Sequence, residues 1–102
     1  MAFKGFGRGV QDKLNSWYLP QRILDRFFRA LTPLVDAEPP DLDRDSYGMF
    51  FAAEVEDCDN RGHYYRFDLR ISRNDTDFWI SDIAGYGVDD NGDPIWSSNT
   101  TL

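Results

Sequence analysis

Asp57-Cys58-Asp59-Asn60-Arg61-Gly62 opens like a calcium-binding loop, with Asp at positions one and three, Gly at position six and Asp68 at position twelve. Position five, however, is Arg61, a cation where an oxygen ligand belongs. Asp68 is also shorter than the usual bidentate Glu, and both flanks alternate as strands do. The segment therefore reads as a polar hairpin loop, and no metal or other cofactor is expected. Asp41-Leu42-Asp43-Arg44-Asp45 and Asp89-Asp90-Asn91-Gly92-Asp93 are equally rich in carboxylates, but neither has a distal ligand at a workable spacing, so both read as turns. His63, the only histidine, could serve as a base oriented by Asp57 or Asp59, yet a satisfied imidazole at a strand end accounts for it as well. Cys58 stands among carboxylates, which oppose formation of the thiolate a nucleophile needs. No Ser/His/Asp set, phosphate-binding loop or dinucleotide fingerprint occurs. The chain is expected not to be an enzyme, with Asp68 and Asp82 the acids available to a pocket if one existed.

Charge is the stronger signal. Residues 1–33 hold six of the eleven Lys and Arg and two of the eighteen Asp and Glu, a net of +4 against −11 for residues 34–102. The net charge of −7 argues against general binding to nucleic-acid backbone, which needs a cationic surface, and favours basic partners. Eight Phe, five Tyr and three Trp among 102 residues are enough to anchor one compact domain. A single cysteine allows no internal disulfide, and no apolar run approaches a signal peptide or a membrane span, so a cytoplasmic setting is expected.

These side chains need elements to position them. Residues 1–8 have two Phe and two Gly without a period and are expected to be a flexible arm. Val10, Leu14, Trp17 and Tyr18 mark one face of a first helix, and Pro20 opens a second that Thr32 and Pro33 end. In this second helix Ile23, Leu24, Phe27, Phe28 and Leu31 share one side, and Arg22, Arg26 and Arg29 form a stripe on the other. An acidic, proline-containing linker follows over 34–45. Apolar residues then alternate over 47–55 and again over 63–71, a hairpin around 57–62. Pairing Val55 with Tyr65 sets Glu54 opposite Arg66, which favours that register. A third strand over 78–84 slips its alternation near Ser81 and Asp82, as a bulge would make it do. A turn at 89–92 leads to an edge strand over 94–97, and 99–102 should fray.

The expected fold is α+β: two N-terminal helices packed on one face of a three- or four-stranded antiparallel meander, similar in outline to cystatin-like rolls, with no motif tying it to a family. The expected function is a small acidic interaction module, of the kind inhibitors, immunity proteins and phage counter-defence proteins represent, engaging a protein with a basic surface. Its docking residues would be Asp41, Asp43, Asp45, Glu54, Glu56, Asp57 and Asp59. The alternative is a peripheral adaptor that meets an anionic membrane or a larger complex through Phe3, Phe6, Arg22, Arg26 and Arg29. A pocket lined by Tyr47, Tyr65, Phe67 and Trp79 is a third reading, and an edge strand near Trp96 would suit a homodimer, with a monomer equally compatible.

Overall fold

The computed structural model describes residues 2–38, 42–46 and 48–99. Along the chain these residues form β1 (Ala2–Phe6), α1 (Val10–Asn15), α2 (Gln21–Ala30), a one-turn α3 (Thr32–Val35), β2 (Asp43–Asp45), β3 (Gly48–Glu56), β4 (Tyr64–Arg73), β5 (Asp77–Val88) and β6 (Pro94–Ser97). The six strands make one sheet in the order β1-β5-β4-β3-β2, with β6 also paired to β5. No helix among the described residues is long and apolar enough to cross a membrane.

The centre of the sheet follows from period-two patterning. Val55 pairs with Tyr65 and Glu54 with Arg66, the register that the cross-strand charge pair favours. Met49, Ala53 and Val55 of β3, Tyr65, Phe67, Leu69 and Ile71 of β4, and Phe78, Ile80 and Ile83 of β5 all point to one buried face. Between β4 and β5 the register shifts so that Arg70 faces Asp82 and Ile71 faces Ile80, leaving Ser81 as the extra residue of a bulge. That shift keeps Ile80 and Ile83 on the same face although they are three residues apart.

Helix α2 lays Ile23 and Phe27, both fully buried, over this face, with the Phe27 ring 4.5 Å from that of Phe67. Pro20 stands at its N-cap with φ −56° and ψ 143°, a conformation its ring favours. Beyond Leu31 the chain re-enters a helical turn instead of stopping. Pro33 lies in the first turn of α3, where a missing N–H costs no hydrogen bond. The first helix is shorter than its apolar spacing suggests. It ends at Asn15, and Tyr18 adopts a left-handed φ of 51° and is 91% exposed. Its neighbours go inward instead: Trp17 meets Trp96 edge-on at 5.2 Å, and Leu19 is buried.

Three expectations are corrected. The sheet is mixed and six-stranded, not an antiparallel meander, because β1 joins β5 in parallel. The N-terminal arm is that strand, with Phe3 5.4 Å from Phe78 and Phe6 6.1 Å from Phe28. The linker holds the end of α3 and all of β2, and β2 pairs antiparallel with the start of β3. Asp41, Tyr47 and the tail from 100 onward lie outside the described residues.

β5 also runs past Ala84 to Val88, because Gly85 and Gly87 are inward-facing strand residues and not a turn. A Cβ on Gly85 would come within 2.9 Å of the Phe67 ring, 3.0 Å of the Arg66 carbonyl and 3.0 Å of the Trp96 indole. The missing side chain is the space that Trp96 fills, packed also on Tyr65 and Phe67. Gly85→Ala is therefore expected to lower stability by about 1–3 kcal/mol through overpacking, measured by urea denaturation. An unchanged midpoint would show that the Phe67 ring, the Arg66 carbonyl and the Trp96 indole all give way without cost.

Candidate functional site

Three observations place the charged groups. The first is that β3 keeps its inward parity one residue beyond its end, so that Asp57 enters the protein after Val55. Asp57 is 2% exposed. Arg22, from the first turn of α2, donates to it from Nε to Oδ1 at 2.8 Å and from Nη2 to Oδ2 at 3.1 Å. The Asn60 side-chain amide donates to Oδ2 at 3.0 Å and the Asp59 backbone N–H to Oδ1 at 2.9 Å. The carboxylate thus closes an Asx turn and ties the β3–β4 loop to the helix layer. These bonds, Arg22 first, hold the Asp57 carboxyl well below the usual carboxylate range, against the burial that would raise it. Asp57 also raises the already high pKa of Arg22.

Asp57 and Arg22 accordingly leave the surfaces for which their residue types nominate them. Asp57 is a structural anchor, not a docking carboxylate, and Arg22 is the far end of that anchor instead of part of a solvent-facing stripe. The calcium-like spacing is explained in the same way, since its first ligand position is occupied by a guanidinium. Among the described residues no group of three or more His, Cys, Asp or Glu is arranged to hold a metal. His63 lies in the loop, its carbonyl accepting from Asp57 N–H at 2.9 Å and its N–H donating to Asn60 at 3.0 Å. Cys58 is exposed beside Asp59. The would-be pocket is divided: Phe67 is packed between Phe27 and Trp96, and Trp79 falls on the parity opposite to Phe78 and Ile80. Asp82 accepts from Lys13 Nζ at 2.7 Å and Asp68 from Arg66 Nε at 3.1 Å, so both candidate pocket acids are ion-paired.

The second observation concerns the acidic surface, which divides into two. Asp43 and Asp45 in β2 pair with Phe50 and Gly48, at the start of β3. Glu54 and Glu56 lie at its far end, and the six residue steps from Phe50 to Glu56 span about 20 Å. At that far end the carboxylates are joined by a group that the sequence spacing does not nominate. Tyr64 pairs with Val88, which brings the β3–β4 loop beside the β5–β6 loop. Gly62, at φ 85°, is so close to Asp90 that a Cβ there would sit 2.5 Å from the Asp90 Cβ. Glu54 at 71% side-chain exposure, Glu56, Asp59 at 65%, and Asp90 therefore share one rim of the sheet. Asp89 is turned to its own backbone, accepting from the N–H groups of Asn91 and Asp93 at 2.9 Å each, and shapes the second loop.

The third is the basic side. Phe3 and Phe6 are packed in β1, which removes them as free anchors. Arg26 and Arg29 remain, exposed and without an ion-pair partner among the described residues. With Ala30 they face Glu54, Val55 and Glu56 across an open groove of 330 Å³. Arg66 on the outer face is shared between Asp68 at 3.1 Å and Glu54 at 3.6 Å.

Comparison with known proteins gives no matching family model, no matching curated protein and no matching solved structure. The residues of the sheet rim and of the groove beside it are therefore the whole basis for a functional reading.

Proposed function

We propose that the protein is a small, non-catalytic interaction module that presents the acidic rim of its sheet to a basic surface on a partner protein. One observation carries this reading: two Asp-rich turns, distant in sequence, are brought side by side at the hairpin end, where Glu56, Asp59 and Asp90 are exposed and Asp57 holds the loop in place. Carboxylates fixed on a rigid loop lose little conformational freedom on docking, and a net charge of −7 steers cationic surfaces toward them. Asp43 would add a second, weaker contact for a partner large enough to span β3.

Charge reversal tests the reading. A Glu56→Lys/Asp90→Lys variant keeps Asp57, the Arg22–Asp59 ion pair at 3.4 Å and every core residue, so it should fold. It is expected to lose association rate with a partner captured from the native host by about tenfold or more at low ionic strength, and to show a flatter salt dependence in stopped-flow or surface-binding kinetics. Unchanged kinetics would refute the proposal. Binding of the unaltered protein to anionic vesicles at low salt, abolished by Arg26→Glu/Arg29→Glu, would instead favour the peripheral-adaptor reading, which now rests on those two arginines.

A further inference from the structure

We propose that the edge of β3 at Glu54–Glu56, unpaired among the described residues, receives an extended segment of the partner as an added strand, with basic residues on its outer side and acidic residues on its helix-facing side. The inference rests on the interaction-module reading above. β2 pairs with β3 only at Gly48, Met49 and Phe50, and no described residue pairs with β3 from Phe51 to Glu56 on the side away from β4. An edge of this kind turns alternate N–H and C=O groups outward, which is the template for main-chain addition. The edge also forms one wall of the groove whose other wall is Arg26, Arg29 and Ala30.

Charge selects the occupant. Side chains of an added strand alternate between two faces, so one set lies beside Glu54 and Glu56 and the next set turns toward Arg26 and Arg29. A segment with Lys or Arg in the first set and Asp or Glu in the second satisfies both walls. A second copy of this chain does not, because a two-fold pairing of β3 with β3 brings glutamates against glutamates on the outer face and arginines against arginines beneath. The same charges that suit a patterned partner thus discourage self-association.

The test titrates isotope-labelled protein at low ionic strength with acetylated, amidated Lys-Glu-Lys-Glu-Lys-Glu-Lys-Glu, which segregates opposite charges on its two faces when extended. Amide shifts are expected at residues 53–56 and 26–30, with slowed hydrogen exchange along the β3 edge. N-methylation of alternate peptide nitrogens should weaken binding about tenfold through the loss of one or two main-chain hydrogen bonds. A peptide of equal composition in Lys-Lys-Glu-Glu repeats, which mixes the charges on each face, should bind less well, and Arg26→Glu/Arg29→Glu should erase the preference. Unchanged affinity after N-methylation, or shifts confined to Asp59 and Asp90, would overturn strand addition while leaving the acidic rim as a docking surface. Failure of both this peptide and octalysine to bind anywhere would overturn strand addition and the interaction-module reading together. Concentration-dependent broadening of the 54–56 amides without peptide would signal self-pairing and overturn the heterotypic assignment.

Discussion

Asp57→Ala is expected to lower stability by roughly 2–3 kcal/mol, from the loss of hydrogen bonds to a buried charge, and the melting temperature by on the order of 10 °C. The substitution removes an acceptor of four hydrogen bonds and frees the loop that Asp57 ties to α2. Arg22→Ala is expected to be destabilising for a different reason, because it leaves the carboxylate buried with its main counter-charge gone. The two variants separate by pH. In the native protein the folded Asp57 carboxyl titrates below its unfolded value of about 3.9, so between those two values the unfolded chain binds more protons. Its stabilising contribution is then complete at neutral pH and shrinks as pH falls through about 4 and below. Asp57→Asn should flatten that acid limb, and the deficit of Arg22→Ala should narrow in acid as the orphaned carboxyl takes up a proton. Urea denaturation at pH 7 and pH 3 decides it: equal acid slopes for native protein and Asp57→Asn would exclude the lock.

Phe3→Ala/Phe6→Ala is expected to cost roughly 3–5 kcal/mol in total, since each ring is partly buried and packed on the core. Phe3 lies on Phe78, and Phe6 lies on Phe27 and Phe28. A flexible arm would predict no effect on stability, so thermal denaturation of this one variant distinguishes a strand from a tail. The loss should be accompanied by faster hydrogen exchange at Phe78 and Ile80, whose strand edge β1 covers.

The reason the arm hides as a strand is specific. Phe3 faces Phe78 and Phe6 faces Ile80, so three steps on β1 match two on β5, with Gly5 at φ 78° between them. A bulge in so short a strand erases the period-two signal, and parallel pairing leaves no adjacent hairpin turn to announce it. β3 and β4 are legible for the opposite reasons: long alternation, a local turn and the Glu54–Arg66 pair all agree on one register. Gly85 and Gly87 mislead because glycine ordinarily punctuates strands, whereas here it makes room for Trp96. That error in turn conceals the candidate site. Only when β5 reaches Val88 does the Asp90 turn come beside Gly62. Asp57 was within reach of the sequence, since it continues the inward parity of Ala53 and Val55. A carboxylate on an inward position asks for a cation, and the helix opening at Pro20 supplies Arg22 within its first turn.

The pairing of β1 with β5 also fixes an order of events at the ribosome. Ala2 meets Asp77 and Phe6 meets Ile80, so the earliest strand to emerge has no place to go until most of the domain has followed it. Helix α2 and the β3–β4 hairpin have local partners and can assemble during translation, and Phe6 can already meet Phe27 and Phe28, while Phe3 and the β1 backbone wait for Phe78 and Ile80. A stalled or truncated nascent chain ending before β5 would therefore display an unpaired aromatic segment, the kind of surface that chaperones hold.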